Sequence, residues 1–359
     1  MQVFLTGATG FIGQALVRTM RQRDWQVCTL VRDPDSAAAR WLMAQGCKLV
    51  PGDVTQPEGL SQAMAGIDVL LHNAGVYELG VNAVAAARMQ QVNVQGTTHV
   101  LGAALEAGVP RTVYVSTVWA LGGSGPAGKP AQVRDENTQH SGVYLSPYER
   151  SKADAHQVAL DWRANGLPLV IGMPNGVVGI NDHSAYGYFL RLYLLHGMTP
   201  IAWGRDTVYA LVEVNALAEG LCLAAVKAPI GEDYVFCGEP ITSRGLFELW
   251  SRYPGGMVPR LWLPRWFMRP QMALLEPLQR RLGLPAFLSR DTVDVTKVHM
   301  NYSAAKAKRE LGWQHPDIET MWASIVPAEQ ALMASRIGWL NKLRHQAVLD
   351  DTVATTTGT

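Results

Sequence analysis

The chain predicts an α/β fold, a doubly wound parallel sheet joined to a smaller, discontinuous, mostly helical second domain. Three observations predict it. Short apolar strands alternate with helical patterns through the first half of the 359 residues. The first strand-to-helix turn carries three glycines three residues apart, Gly7, Gly10 and Gly13. The texture then changes after Pro174, where aromatic residues, prolines and arginines interleave. Strands that alternate with crossover helices run parallel and are covered on both faces.

Taken in order, Val3–Leu5 is the first strand and Phe11–Arg23 the first helix. Gln26–Val31 and Cys47–Val50 follow as strands, then Asp68–His72, then a long alanine-rich helix from about Asn82 to Glu106. Arg111–Ser116 is the fifth strand. The next helix is signalled by Ser146 as N-cap, Pro147 in the first turn and Glu149 completing a capping box, and it stops at Gly166. Leu169–Met173 is the sixth strand. Residues 208–227 return to a strand-then-helix pattern that rejoins the first domain, whereas 239–335 is irregular. The polar, threonine-rich end is expected to be a mobile tail.

Apolar residues make up 48% and charged residues 17%, which suits a chain with much buried surface. The formal net charge of +1 gives no case for nucleic-acid binding. Cys28, Cys47, Cys222 and Cys237 lack C-x-x-C spacing and read as reduced core thiols of a cytoplasmic protein. The strand beginning at residue 2 leaves no room for an expected signal peptide, and no apolar run approaches the ~20 residues of a membrane span. The histidines show no metal-ligand spacing, so no metal is expected.

The glycine turn carries chemistry. Thr6-Gly7-Ala8-Thr9-Gly10-Phe11-Ile12-Gly13 joins a strand to a helix. One glycine allows the tight turn, one lets a pyrophosphate approach the backbone, and one lets helix and strand pack closely. The phosphates then meet free N–H groups at a helix N-terminus. This is a dinucleotide site on a Rossmann sheet, and it divides the chain: 1–176 with 206–237 as the nucleotide-binding domain, 177–205 with 238–345 as the substrate-binding domain, and 346–359 as the tail. Tyr148 and Lys152 stand four apart on the capped helix, so they share a face. A free tyrosine has a pKa of ~10, and a neighbouring ammonium favours the phenolate.

Together these motifs resemble the short-chain dehydrogenase/reductase superfamily, specifically its extended branch, the NAD-dependent epimerase/dehydratase superfamily. Asp53-Val54 looks like the adenine contact, and His72-Asn73-Ala74-Gly75 the cofactor turn. Asn93-Val94-Gln95-Gly96-Thr97 is similar to the branch's N-V-x-G-T motif, and Asn301 through Trp313 to its C-terminal signature. The resemblance implies Thr117 as the catalytic hydroxyl with Ser116 as the alternative, Tyr148 as proton donor or acceptor, and Lys152 as the group that lowers its pKa and grips the nicotinamide ribose. It implies a cofactor surface of Gly7, Thr9, Gly10, Phe11, Ile12, Gly13, Arg32, Asp53, Val54, Asn73, Ala74, Gly75, Asn93, Ser116, Tyr148, Lys152, Pro174 and Val177. Arg32 stands where the family reads a 2′-phosphate, which points to NADP; if Asp33 takes the ribose instead, the cofactor is NAD. The family also implies a homodimer through the helices at about 82–106 and 147–164.

Departures from pattern choose among subfamilies. Thr117 is followed by Val118-Trp119, not the Asp-Glu of sugar-nucleotide dehydratases. Met173-Pro174-Asn175-Gly176-Val177-Val178-Gly179 lacks the arginine of the epimerases' R-P-x-N-V-Y-G. The form is closer to dihydroflavonol-reductase-like and hydroxysteroid-dehydrogenase-like members. That implies an oxidoreductase acting on an apolar carbonyl or secondary alcohol, with Trp119, Tyr77, Tyr144, Tyr186 and Trp203 as candidate pocket residues. A sugar-nucleotide epimerase with tightly held NAD, and a non-catalytic nucleotide-binding member, are the other readings. Residues 257–287 carry Arg260, Arg265, Arg269, Arg280 and Arg281 against one acid, Glu276, with Trp262, Trp266 and Phe267 interleaved. This segment reads as a lid with snorkelling arginines or as a peripheral membrane contact.

Overall fold

The computed structural model describes residues 1–336 and 338–343; the expected tail at 346–359 lies outside them. Seven parallel strands form the central sheet: β1 (Gln2–Thr6), β2 (Gln26–Val31), β3 (Lys48–Pro51), β4 (Val69–His72), β5 (Thr112–Val115), β6 (Leu169–Pro174) and β7 (Asp233–Phe236). Their order is β7-β6-β5-β4-β1-β2-β3. The strand order reverses between β1 and β4, and the crevice beyond their carboxyl ends is the binding place of such sheets. β4, β5 and β6 are buried along their whole length, as strands covered on both faces must be.

Two helix pairs cover the sheet. Phe11–Gln22 buries Ala15, Leu16, Val17 and Met20 and packs on Val214–Lys227. Gly96–Glu106 packs on Pro147–Ala164. The latter helix begins as its sequence foretells, with Ser146 Oγ accepting the Glu149 amide at 3.1 Å. The capping box is only half made, because the buried Glu149 carboxylate reaches past Ser146: its Oε2 accepts the Leu145 amide at 2.6 Å and its Oε1 pairs with His140 at 3.2 Å.

Several elements differ from expectation. β7 is a strand beyond the six expected: Tyr234-Val235-Phe236 is a buried apolar run, but the strand is four residues long and follows a Pro-Ile-Gly-Glu turn, too short to show a period. Val208–Ala210 does not rejoin the sheet but pairs antiparallel with Pro240–Thr242. The helix expected at 82–106 runs as Ala83–Gln90, a π-helical turn Gln91–Gln95, and Gly96–Glu106. The stretch expected to be irregular contains the helices Ser243–Trp250, Arg265–Arg281 and Ile318–Ala334. Arg265–Arg281 forms despite interior Pro270 and Pro277, each worth ~3 kcal/mol against a helix. Its buried Met268, Met272, Glu276 and Gln279 hold it in place by packing.

The segments 177–205 and 238–336 lie outside the seven-stranded sheet; their Tyr193, Trp250 and Trp322, the last two edge-on at 5.3 Å, are buried in a core continuous with that of the sheet. One stretch of them crosses back. Lys306 pairs with Glu232, the Tyr234 hydroxyl donates to Glu310 at 3.0 Å, and Trp313 Nε1 donates to the Ala216 carbonyl at 2.7 Å. Residues around 306–313 therefore brace the β7 edge.

Candidate active site

The glycine turn forms a cradle. Gly7 takes a φ of +73°, and a Cβ there would come within 2.8 Å of the Ala74 backbone. A Cβ on Gly13 would stand 2.0 Å from the Gly7 carbonyl oxygen, so helix and turn touch backbone to backbone. Gly10, the N-cap of Phe11–Gln22, meets only ordinary contact and lines the open cavity. No side chain caps this helix and no acid occupies its first turn. Its N–H groups are thus left for an anion, and the cradle fits the diphosphate of a nicotinamide dinucleotide.

A buried chain of hydrogen bonds ties this turn to the loop after β4. Thr6 Oγ1 accepts the Ala74 amide at 3.1 Å and donates to His72 Nδ1 at 2.7 Å. His72 Nε2 then donates to Thr97 Oγ1 at 3.1 Å, and Thr97 donates to the Asn93 carbonyl at 2.6 Å. Full burial, with Lys152 adding to it, holds His72 neutral at a pKa of about 3. Asn93 Oδ1 accepts the Val76 amide at 2.7 Å, while its Nδ2 donates to the Val76 carbonyl at 3.0 Å and to Ser151 Oγ at 2.9 Å. Ser151 in turn donates to the Tyr148 carbonyl at 2.8 Å. Asn93 therefore positions the loop against the Tyr148 helix from behind; neither it nor Gly13 lines the cavity, unlike the other expected cofactor residues.

Thr117, Tyr148 and Lys152 converge where β5 ends and Pro147–Ala164 begins. Thr117 Oγ1 donates to the Pro174 carbonyl at 3.2 Å, accepts the Trp119 amide at 3.3 Å, and faces the Tyr148 phenol. Ser116 is occupied elsewhere, its hydroxyl 2.9 Å from His156 Nδ1. This geometry favours Thr117 as the hydroxyl beside the phenol. Lys152 Nζ donates to the Val115 carbonyl at 3.2 Å and lies 5.3 Å from the Tyr114 ring centroid. Burial lowers its pKa to about 8. Burial also pushes the Tyr148 phenol up to about 12, against the downward pull of Thr117. The expected lowering of Tyr148 by Lys152 is thus not found in the chain alone: burial raises the phenol and Thr117 is the group that opposes it.

At the far end, the exposed Arg32 follows β2 and lines the cavity. Asp33 does not line it: its Oδ1 accepts the Asp35 amide at 2.9 Å. Asp53 spends one oxygen on Thr55, whose amide and hydroxyl both donate at 2.9 Å.

Cradle and catalytic residues open into one cavity of about 1590 Å³, which continues into an apolar arm. A typical single-ligand pocket is about 300–1,000 Å³, so this one has room for a dinucleotide and a second molecule. Trp119, Tyr77, Tyr186 and Trp203 line it as expected. Tyr144 does not; it stacks on His140 at 4.6 Å on the outside. Tyr77 meets Tyr148 edge-on at 4.8 Å and stacks near Phe287 at 6.4 Å. Met268, Met272, Phe247 and Phe287 complete the arm and were missed in the sequence. The signal was present in Met268 and Met272, four apart, but the flanking prolines masked a helix. Gly80, on the loop after β4, is held by two helices: its carbonyl accepts from Arg280 of Arg265–Arg281 and its amide donates to Asp291 of Arg290–Asp294 at 3.0 Å.

A sheet reversing beside an uncapped glycine turn, with Tyr148 and Lys152 on one helix face, defines a nucleotide-dependent dehydrogenase or reductase. Residues 3–237 match the NAD dependent epimerase/dehydratase family. The chain is 32% identical over 336 residues to a protein of Synechocystis sp. assigned as a dihydroflavonol 4-reductase, covering 90% of this chain and 93% of that one. It is 30% identical over 337 residues to human 3 beta-hydroxysteroid dehydrogenase type 7, covering 86% and 90%. Among solved structures, gox2253 superposes with a TM-score of 0.74 at 30% identity, covering 92% of this chain and 98% of that one. The chain belongs to the NAD dependent epimerase/dehydratase family, in its extended short-chain dehydrogenase/reductase branch, and is an NAD(P)-dependent oxidoreductase of that branch. No helix among the described residues is long and apolar enough to cross a membrane.

Proposed function

We propose that this oxidoreductase uses NADP and acts on the carbonyl or secondary alcohol of an apolar small molecule. The carrying observation is the junction itself: Thr117 and Tyr148 stand where the nucleotide cradle meets the apolar arm of one cavity. Arg32 at the cavity wall, with Asp33 engaged in its own turn, supports a 2′-phosphate.

Gly7, Gly10 and the first turn of Phe11–Gln22 hold the diphosphate, and Asp53, Val54 and Asn73 to Gly75 flank the adenine side. When bound, the nicotinamide supplies or accepts the hydride. Thr117 holds the substrate oxygen by a hydrogen bond. Tyr148 gives that oxygen its proton in reduction and takes it in oxidation. Lys152 keeps its charge at neutral pH, holds the ribose hydroxyls and makes the phenolate easier to form. The apolar arm, with Trp203, Phe247 and Met272, excludes water and orients an apolar guest. The steroid-directed activity named for the human relative supports this substrate class.

Purified protein assayed on apolar ketones should prefer NADPH over NADH, and Tyr148→Phe should lower kcat by about 10²–10⁴-fold without changing nucleotide affinity. Equal use of both nucleotides removes the Arg32 assignment. Nonexchanging NAD with UDP-sugar binding replaces the reductase by an epimerase. Full activity of Tyr148→Phe removes the proton donor. The four free thiols support a cytoplasmic setting. The adjacent surface helices Ala83–Gln90 and Pro147–Ala164 support a homodimer, which light scattering of the purified chain tests.

A further inference from the structure

The lid helix Arg265–Arg281 has two apolar faces. The inner one, Met268 and Met272, lines the arm of the cavity. The outer one, carried by Trp266, Phe267, Leu274 and Leu278, is exposed. Trp266 is 77% exposed and Leu274 75%, and Phe267 and Leu278 are exposed with them. Phe267 and Leu274 stand seven apart and Leu274 and Leu278 four apart, which with Trp266 beside Phe267 places these side chains on one stripe. A stripe of this kind on a surface helix marks an interaction site.

The charges around the stripe say what covers it. Within 257–287 the only acid, Glu276, is buried; it accepts the Arg290 amide at 2.9 Å and pairs with Arg280 and Arg290. Every exposed charge of the segment is an arginine. Arg265 and Arg269 are engaged by Thr207, Thr296 and Asp294. The guanidinium groups of Arg260 and Arg281 make no hydrogen bond or ion pair among the described residues, and both are exposed. An apolar stripe led by Trp and Phe and edged only by cations is complementary to an anionic bilayer surface, with rings in the acyl boundary and arginines at the headgroups.

We propose that the outer face of Arg265–Arg281 docks on anionic phospholipid, so that the lid of the cavity lies in the membrane interface. Docking is peripheral, and it is independent of which carbonyl is reduced and of which nucleotide is bound.

The test is sedimentation of the full chain with sucrose-loaded vesicles, one set of pure phosphatidylcholine and one with phosphatidylglycerol added. Nucleotide affinity and circular dichroism report folding. Wild type should partition onto the anionic vesicles and release at high salt. Leu274→Glu with Leu278→Glu should abolish partitioning while nucleotide affinity stays unchanged. Arg260→Gln with Arg281→Gln leaves the apolar stripe intact; at about five-fold per arginine it should weaken partitioning about thirty-fold, and it decides the matter if the glutamate variant misfolds. Wild type that ignores anionic vesicles overturns the proposal. So does a wild-type dimer that the glutamate variant converts to monomer without any vesicle binding, which would make the stripe a contact between two copies. An arginine variant that partitions as wild type does overturns the anionic surface as partner.

Discussion

Replacing Lys152 by Met should make the protein more stable at neutral pH while removing its turnover. The Lys152 ammonium is buried, with only 8% of the residue exposed, and its pKa falls from 10.5 to about 8. That shift corresponds to about 3 kcal/mol by which burial disfavours the charged form. Between about pH 8 and 10.5 the unfolded chain holds this proton and the folded chain does not, so wild-type stability rises with pH across that window. Below about pH 8 both states hold it and the whole penalty applies. Methionine carries no charge and loses only the bond to the Val115 carbonyl, worth about 1 kcal/mol. The variant should therefore gain about 2 kcal/mol at pH 7, an advantage that vanishes by about pH 9.5. Urea unfolding of both proteins at the two pH values measures it, with groups common to both cancelling in the difference. A variant less stable than wild type at pH 7, or one with the same pH slope, refutes the reasoning.

Asn93→Ala should cost about 2–4 kcal/mol, because it strands the amide and carbonyl of Val76 and frees the loop from Ser151; a lowered urea midpoint with weakened nucleotide binding is the expected readout. Gly13→Ala should destabilise by at least about 1–3 kcal/mol and weaken nucleotide binding, since its Cβ would meet the Gly7 carbonyl at 2.0 Å; calorimetric titration with unchanged affinity would count against the cradle. Glu329→Ala should lose about 3–5 kcal/mol by leaving Arg191, its partner at 3.1 Å, charged and buried, a loss visible in thermal melts.

What could be read from the sequence was what acts locally. The glycine turn is legible because backbone sterics dictate the residue at Gly7 and Gly13. The helix at Tyr148 is legible because its cap and its i, i+4 pair are adjacent in sequence. Partnerships made across the fold were not legible. Tyr144 leaves the pocket because His140 offers it a ring, and Asn93 moves behind the wall because Val76 and Ser151 claim its amide. Tyr148 and Lys152 were correctly paired by spacing, but their titration is governed by burial, which spacing does not carry. The lid helix was hidden by Pro270 and Pro277, whose helix-breaking tendency is overridden by packing under Met268 and Met272.

The π-helical turn Gln91–Gln95 has a consequence for how this fold tolerates change in length. Such a turn accommodates one residue more than a regular helix, and one residue is about 100° of rotation. The two halves of the helix are therefore out of phase. Ala85 and Arg88 face the cavity, while Gly96, Thr97, Val100 and Leu101 face inward beneath the sheet. A residue gained or lost within this element changes an angle more than a reach. In loops, length sets how far a chain extends; here it sets which surface a single rod presents to each of two neighbours.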